Sequence, residues 1–510
     1  MSEELNPGTP HHGAITVCIM LATLMQSLDT TIANVALPHM QGSLAASQAE
    51  IDWVLTSYIV AAAIATPLTG FLTARLGLKR LFLVSIAGFT IASMLCGMAQ
   101  TVTQIVLFRW LQGLFGAALV PLSQSVLLNI NTPARQGSAM AAWGMAVMAA
   151  PILGPVLGGW LTEDYSWRYV FYINLPIGVL AYAGMSTFLP AMRRKGEGRL
   201  DWLGFVSLSI GIAALQVMLD RGPELDWLSS PEIVAEAILA GSAFYIFLVH
   251  TFTADRPFLR PALLRDRNFF AGSLFVAIVG LTFYASLALQ PPYLQDLMNY
   301  PVITAGFVMG PRGIGTMAAM MVVGKLIGRT DVRLLLALGL GLSALAFYWM
   351  TGWTPAVSEA TVIGVGIVQG VGLGFLFTPL SAVSLSTLSP TVRPEGAGFY
   401  NLARNVGSSV GISIVGALLA RASQANHADI AQYVTATNAQ LANPAVARFL
   451  SPFTASGRAA LDALVSQQAQ IIAYVDDYKF LMIATLAVIP LLIVFKWRTR
   501  ASGEHAVAEM

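Results

Sequence analysis

The chain has 510 residues, 56% of them hydrophobic and only 11% charged, with 28 Lys and Arg against 26 Asp and Glu for a formal net charge of +2. A charged share roughly half that of an ordinary soluble domain excludes a water-facing globular protein, and so even a balance excludes a nucleic-acid partner. The two cysteines, Cys18 and Cys96, both stand in apolar runs, which excludes a disulfide framework or a thiolate metal site and makes each a small core residue.

Residues 1–13 form a polar tail without the basic start and short apolar run of a cleavable signal, so the first apolar run is expected to stay in the membrane. A spanning helix needs about 20 mostly apolar residues. Runs of that kind fall near 14–36, 51–72, 81–100, 105–128, 138–161, 169–189, 201–219, 232–252, 269–290, 302–324, 334–353, 359–384, 399–420 and 479–496. They predict an all-α polytopic membrane protein with about fourteen transmembrane helices, since backbone groups in lipid must be satisfied within the segment and the runs are too long for barrel strands.

Alternate loops carry the basic residues: Arg75, Lys79, Arg80, Arg135, Arg193, Arg194, Lys195, Arg199, Arg256, Arg260, Arg265, Arg267, Lys325, Arg329, Arg333, Arg393, Lys496, Arg498 and Arg500 on one side, but only Arg168 and Arg221 in the short loops opposite. The positive-inside rule then places both termini in the cytoplasm. The segment 421–478, on the outer side, is far longer than any other loop. Leu461, Leu464, Val465, Gln468, Ile471, Ile472 and Val475 recur within it at helical spacing, a stripe suited to a membrane surface, a partner or the protein's own body.

Two similar basic, glycine-bearing turns follow the second and tenth helices, Gly70 to Arg80 and Gly324 to Arg333. They suggest an internal repeat. The expected organisation is a tail at 1–13, a six-helix bundle at 14–189, two linker helices within 190–268, a second six-helix bundle at 269–496 containing the 421–478 loop, and a tail at 497–510.

A charge in the bilayer costs about 2.5–3.5 kcal/mol even on the lenient insertion scale, so each one requires a partner or a wet cavity. Asp29 is the single deep acid, in the first helix. Arg109, in the fourth, lies at similar depth with opposite sign. An arginine does not release its proton in practice, so in such a pair Asp29 titrates and Arg109 tunes it. Gln112, Gly113, Gly116, Ser123 and Gln124 continue a small, polar face from Arg109, and the thirteenth helix has another in Asn401, Arg404, Asn405, Ser408 and Ser409. Arg312 adds a cation near mid-depth in the tenth helix. Interhelical bracing and a substrate path both stand open for Arg312 and Arg404; the path reading takes in Gln26, Asn34, Gln112, Arg312, Asn401, Arg404 and Asn405. In the fifth helix Pro151 and Pro155 bend the rod, while Gly154 and Gly158, followed by Gly159, make a face for close packing.

At these residues the chain resembles the major facilitator superfamily, specifically the fourteen-span drug:proton antiporters of the EmrB/QacA type, over nearly its full length. Leu28 to Pro38 resembles that family's first-helix signature, and Gly70 to Arg80, with Gly70, Arg75, Gly77, Lys79 and Arg80, resembles its gating loop. Arg109 with Gln112-Gly113 resembles the proton-coupling motif, Gly144 to Gly159 the antiporter motif, and Ser166 to Gly178 a further family stretch. The gating loop departs from the pattern at Ala74, where the family usually carries an acid. The resemblance implies proton-coupled efflux of amphipathic compounds across a bacterial inner membrane, no cofactor, and work with an EmrA-like periplasmic adaptor and an outer-membrane channel. A dedicated exporter of one cargo class, such as a siderophore or an anionic lipid-like compound, is the alternative. An enzyme reading finds no clustered intramembrane acids, histidines or nucleophile to support it, because His11, His12, His39, His250, His427 and His505 all lie outside the spans or at their ends.

Overall fold

The structure, a computed structural model, describes residues 11–132, 135–190, 200–223, 225–327, 329–435, 441 and 449–495. Most of the expected N-terminal tail, the C-terminal tail, the basic run at 193–199 and Gly328 lie outside the described residues, as do the side chains of Pro151 and Pro155.

Fourteen long helices make up the described chain: α1 (His12–Ser43), α2 (Glu50–Leu76), α3 (Leu78–Met98), α4 (Val102–Ile130), α5 (Gln136–Asp164), α6 (Tyr169–Phe188), α7 (Trp202–Arg221), α8 (Pro231–Thr253), α9 (Arg267–Leu297), α10 (Val302–Leu326), α11 (Val332–Met350), α12 (Glu359–Ser386), α13 (Arg393–Ala431) and α14 (Ala455–Val494). Thirteen are long and apolar enough to cross a membrane by length and composition. The other, α5, is 29 residues long and has no charged residue before Glu163. Among the described residues there is no β-strand, only an isolated bridge between Ile327 and Thr330.

Local sequence sets the helix starts. Ser47 accepts from the Glu50 N–H while the Glu50 carboxylate accepts from the Ser47 N–H, opening α2. Asp266 caps α9 through the Phe269 N–H, and Asp201 caps α7 through the Gly204 N–H. Burial raises the pKa of Asp201, but hydrogen bonds from the Gly204 and Phe258 amides and from His250 outweigh it and leave the carboxyl below its ordinary value. Asp201 thereby ties the start of α7 to the end of α8.

Packing repeats with an offset of eight helices. The pairs α1 with α5, α2 with α4, α3 with α6 and α1 with α6 recur as α9 with α13, α10 with α12, α11 with α14 and α9 with α14. Two bundles result. They meet along two seams, α5 on α10 and α2 on α13, and α7, paired with α8, rests on α2 and α13. Side chains such as Leu107, Tyr245, Phe307 and Leu334 are more than half exposed on the outside, as lipid-facing positions require.

At the end that carries the basic loops the seams are closed. The Ser138 hydroxyl donates to the Gly324 carbonyl at 3.1 Å, and Arg393 donates to the Asn129 side-chain oxygen at 2.7 Å. A Cβ on Gly70 would stand 2.6 Å from that of Glu395, and one on Gly398 would stand 2.9 Å from the Thr66 carbonyl oxygen. Only hydrogen fits at either place.

The 421–478 segment, expected to lie between spans ending at 420 and starting at 479, is largely helix. α13 continues to Ala431 and α14 begins at Ala455. The expected stripe divides: Val465 and Ile471 are buried while Leu464 and Ile472 are exposed. The buried side follows Val465, Ala469 and Ala473, one turn apart, and continues into a cluster where Tyr474 and Tyr478 pack on Tyr293 and Trp353.

Candidate functional site: a sealed ion pair and a free cation

Asp29 is 1% exposed and Arg109 likewise 1%, so the pair predicted from depth is fully enclosed within the first bundle. Arg109 Nη1 donates to Asp29 Oδ2 at 2.6 Å. Asp29 Oδ1 accepts from Gln112 Nε2 at 2.8 Å and from Asn174 Nδ2 at 2.8 Å. The carboxylate thus takes three donors from α4 and α6, and its charge is matched by the one guanidinium.

Arg109 is held as tightly. Its Nε donates to the Val54 carbonyl at 3.1 Å, its Nη1 also reaches Gln112 Oε1 at 2.9 Å, and the Tyr58 ring lies 4.3 Å from the guanidinium carbon. Tyr58 in turn accepts from Gln26 Nε2 at 3.1 Å. Asn174 also donates to Ser93 Oγ at 2.9 Å, and Ser93 donates to the Phe171 carbonyl at 2.8 Å. Five helices, α1, α2, α3, α4 and α6, therefore converge on one acid. Breaking a buried pair by removing one partner typically costs about 3–5 kcal/mol, because the other charge is stranded.

The second bundle holds the converse. Arg312 in α10 is 5% exposed, and among the described residues it forms no ion pair. Its Nη1 donates to Gln290 Oε1 at 3.1 Å and its guanidinium carbon lies 4.8 Å from the centre of the Phe283 ring, but Nε and Nη2 have no hydrogen-bond partner. Beside it a cavity is lined by Phe283, Leu287, Met309, Thr316 and Leu373 of the second bundle and by Met148 of α5 in the first.

The remaining sequence candidates separate by place. Gln112 belongs to the Asp29 cluster directly and Gln26 through Tyr58. Asn34 is exposed. Asn401 donates to Gln124 Oε1 at 2.7 Å, joining the two bundles, while Arg404 and Asn405 are half-buried and contact each other at 3.4 Å. Gly77 holds φ 83°, a left-handed turn that favours glycine. Lys79 donates to the Ser186 carbonyl at 2.7 Å, at the end of α6, and Arg75 and Arg80 are exposed. Gly154 abuts Thr31, and a Cβ on Gly158 would stand 3.2 Å from that of Val35, so this face presses α5 against the α1 segment that carries Asp29. Gly159 faces open space, outside that contact. Sequence reasoning did not single out Asn174, Ser93, Tyr58, Gln290 or Gln369. The available signal was an amide or hydroxyl in an apolar helix, where an unpaired polar group is costly.

A model of the Major Facilitator Superfamily matches residues 19–421. The chain is an EmrB-like member of the major facilitator superfamily. It is 36% identical over 426 residues to the multidrug export protein EmrB of Escherichia coli K12, covering 83% of each chain. It is 37% identical over 429 residues to the fatty acid resistance protein FarB of Neisseria gonorrhoeae, covering 84% of each. Among solved structures, the human organic anion transporter MFSD10 superposes with a TM-score of 0.60 at 14% identity, over 93% of this chain and 100% of that one, which speaks for the fold alone. Members of this superfamily are transporters, and this chain is a multi-pass membrane protein of that kind.

Proposed function

We propose that this transporter expels amphipathic small molecules across the bacterial inner membrane by alternating access, driven by protons returning through the Asp29 cluster. The observation that carries this reading is the enclosed carboxylate with its three donors. A proton arriving on Asp29 takes the open lone pair of Oδ2 and removes the charge that holds the three donors, Arg109 above all, and because those donors sit on α4 and α6, proton uptake loosens α1 from its neighbours. The Gly154 and Gly158 face then couples that movement to α5, which lines both the seam and the cavity. Relatives named as multidrug export proteins, 34–36% identical over most of the chain, support the direction of transport.

In this reading the closed, basic end faces the cytoplasm with both termini, and residues 14–189 and 269–496 act as the two rocking units, with 190–268 as a linker. The pairing of α13 with α14 beyond the spans, where Tyr433 and Phe453 are exposed, is the proposed seat for an EmrA-like adaptor leading to an outer-membrane channel. The test is pH-gradient-driven uptake of a fluorescent lipophilic cation into inverted vesicles at equal protein levels. Wild type accumulates the dye, and Asp29→Asn and Arg109→Ala lose at least tenfold of the rate. Full proton-driven uptake by Asp29→Asn overturns the reading.

A further inference from the structure

We infer that the cavity at Arg312 binds the anionic head of an amphiphile, a carboxylate on an apolar tail, as transported cargo. The inference deepens the export reading and takes its setting from it. A planar guanidinium presents five donors, and Nε and Nη2 share one of its edges, the edge that receives the two oxygens of a carboxylate side by side. In Arg312 those two nitrogens are the ones left without a partner. Its remaining contacts, Gln290 and the Phe283 ring, hold the group in place without neutralising it.

Arg109 supplies the contrast within one chain. That guanidinium has an acid, a carbonyl and an amide, and its charge is matched by Asp29. Arg312 is 5% exposed, and among the described residues it has no acid partner. Thr316 turns its hydroxyl back to the Arg312 carbonyl, and Gln369 engages Ser286 at 2.9 Å while its own side-chain oxygen stays unpaired. The walls beyond are apolar, from Met148, Leu287, Met309 and Leu373. Methionine walls re-pack around tails of differing shape. Because Met148 comes from the first bundle and the rest from the second, an occupant touches both and is released when they part.

The experiment measures binding to purified wild-type protein in detergent, with two fluorescent probes of equal tail length: a dansyl-labelled undecanoate and its trimethylammonium counterpart. Arg312→Gln is expected to weaken the undecanoate at least tenfold and leave the ammonium probe within twofold. Gln290→Glu, nearly isosteric with wild type, puts a carboxylate against Arg312 and gives the same selective loss without deleting the cation, so it decides the matter should Arg312→Gln fail to fold. Undecanoate affinity unchanged in Gln290→Glu, or an equal loss of both probes in it, overturns the inference. No gradient is involved, so the two readings fail separately. Selective undecanoate loss together with full transport by Asp29→Asn sinks proton coupling alone, and proton-driven dye export with undecanoate binding indifferent to Gln290→Glu sinks the anion site alone.

Discussion

Asn174 shows how far a single amide reaches. Its one NH2 group bridges Asp29 and Ser93, tying the first residues of α6 to both α1 and α3. Replacement by leucine removes a hydrogen bond to a charged group, worth about 1.5–3 kcal/mol. The expected outcome for Asn174→Leu is a lower melting midpoint in detergent, together with slower proton-driven uptake at equal protein levels; an unchanged midpoint would show that the bridge carries no weight. Asp29 and Arg109 were legible from sequence because buried charge of opposite sign at one depth has few solutions. Asn174 was not, since an amide beside Leu175-Pro176 reads equally as a helix start. For Arg312 the sequence exposed the cation but left bracing and substrate binding level, and the unpartnered edge of its guanidinium is the observation on which the binding inference rests.

At the scale of elements, the glycines of α5 distinguish contact from spacing. Gly154 meets Thr31, whose hydroxyl also reaches the Ala150 carbonyl at 3.2 Å, whereas nothing stands within 4 Å of a Cβ on Gly159. Gly154→Leu should therefore force α1 and α5 apart and abolish uptake in inverted vesicles, while Gly159→Ala leaves the rate within twofold. The reverse ranking would remove this face from the coupling path. Hydropathy located the spans well, because lipid permits few alternatives to a helix. It failed where the solvent changes: α13 and α14 continue beyond the apolar runs, and Asp462, Asp476 and Asp477 interrupt the signal although helical packing does not. Periodicity at 461–475 still announced a helix there, with its buried side misjudged by part of a turn.

For the whole molecule, the repeat in packing pairs gives two bundles of like architecture that pack closely along α5 with α10 and α2 with α13. Ser138 and Gly324 face each other across the closed end; a Cβ on Gly324 would stand 3.2 Å from the Ser138 Cα. Cysteines at both positions, in a chain lacking Cys18 and Cys96, come close enough to join once α5 and α10 shift slightly apart, since a Cβ on Gly324 would also stand 2.8 Å from that of Ala141. Oxidation is expected to halt dye uptake and reduction to restore it, and undiminished uptake in fully oxidised protein would rule out opening at this seam.

The 39 residues of α13 extend about 58 Å at 1.5 Å per residue, nearly twice the roughly 30 Å depth of the hydrocarbon layer. Gly398 and Asn401 sit near one end of this rod, against the first bundle, and Tyr433 follows the other end. One degree of tilt about the gate carries the far tip through about 1 Å on a rod of that length. Under the proposed alternating access the helix is a pointer with its pivot at the closed end, so the tip magnifies each opening, and whatever grips the tip acts on that end with the full length of the rod as its lever arm.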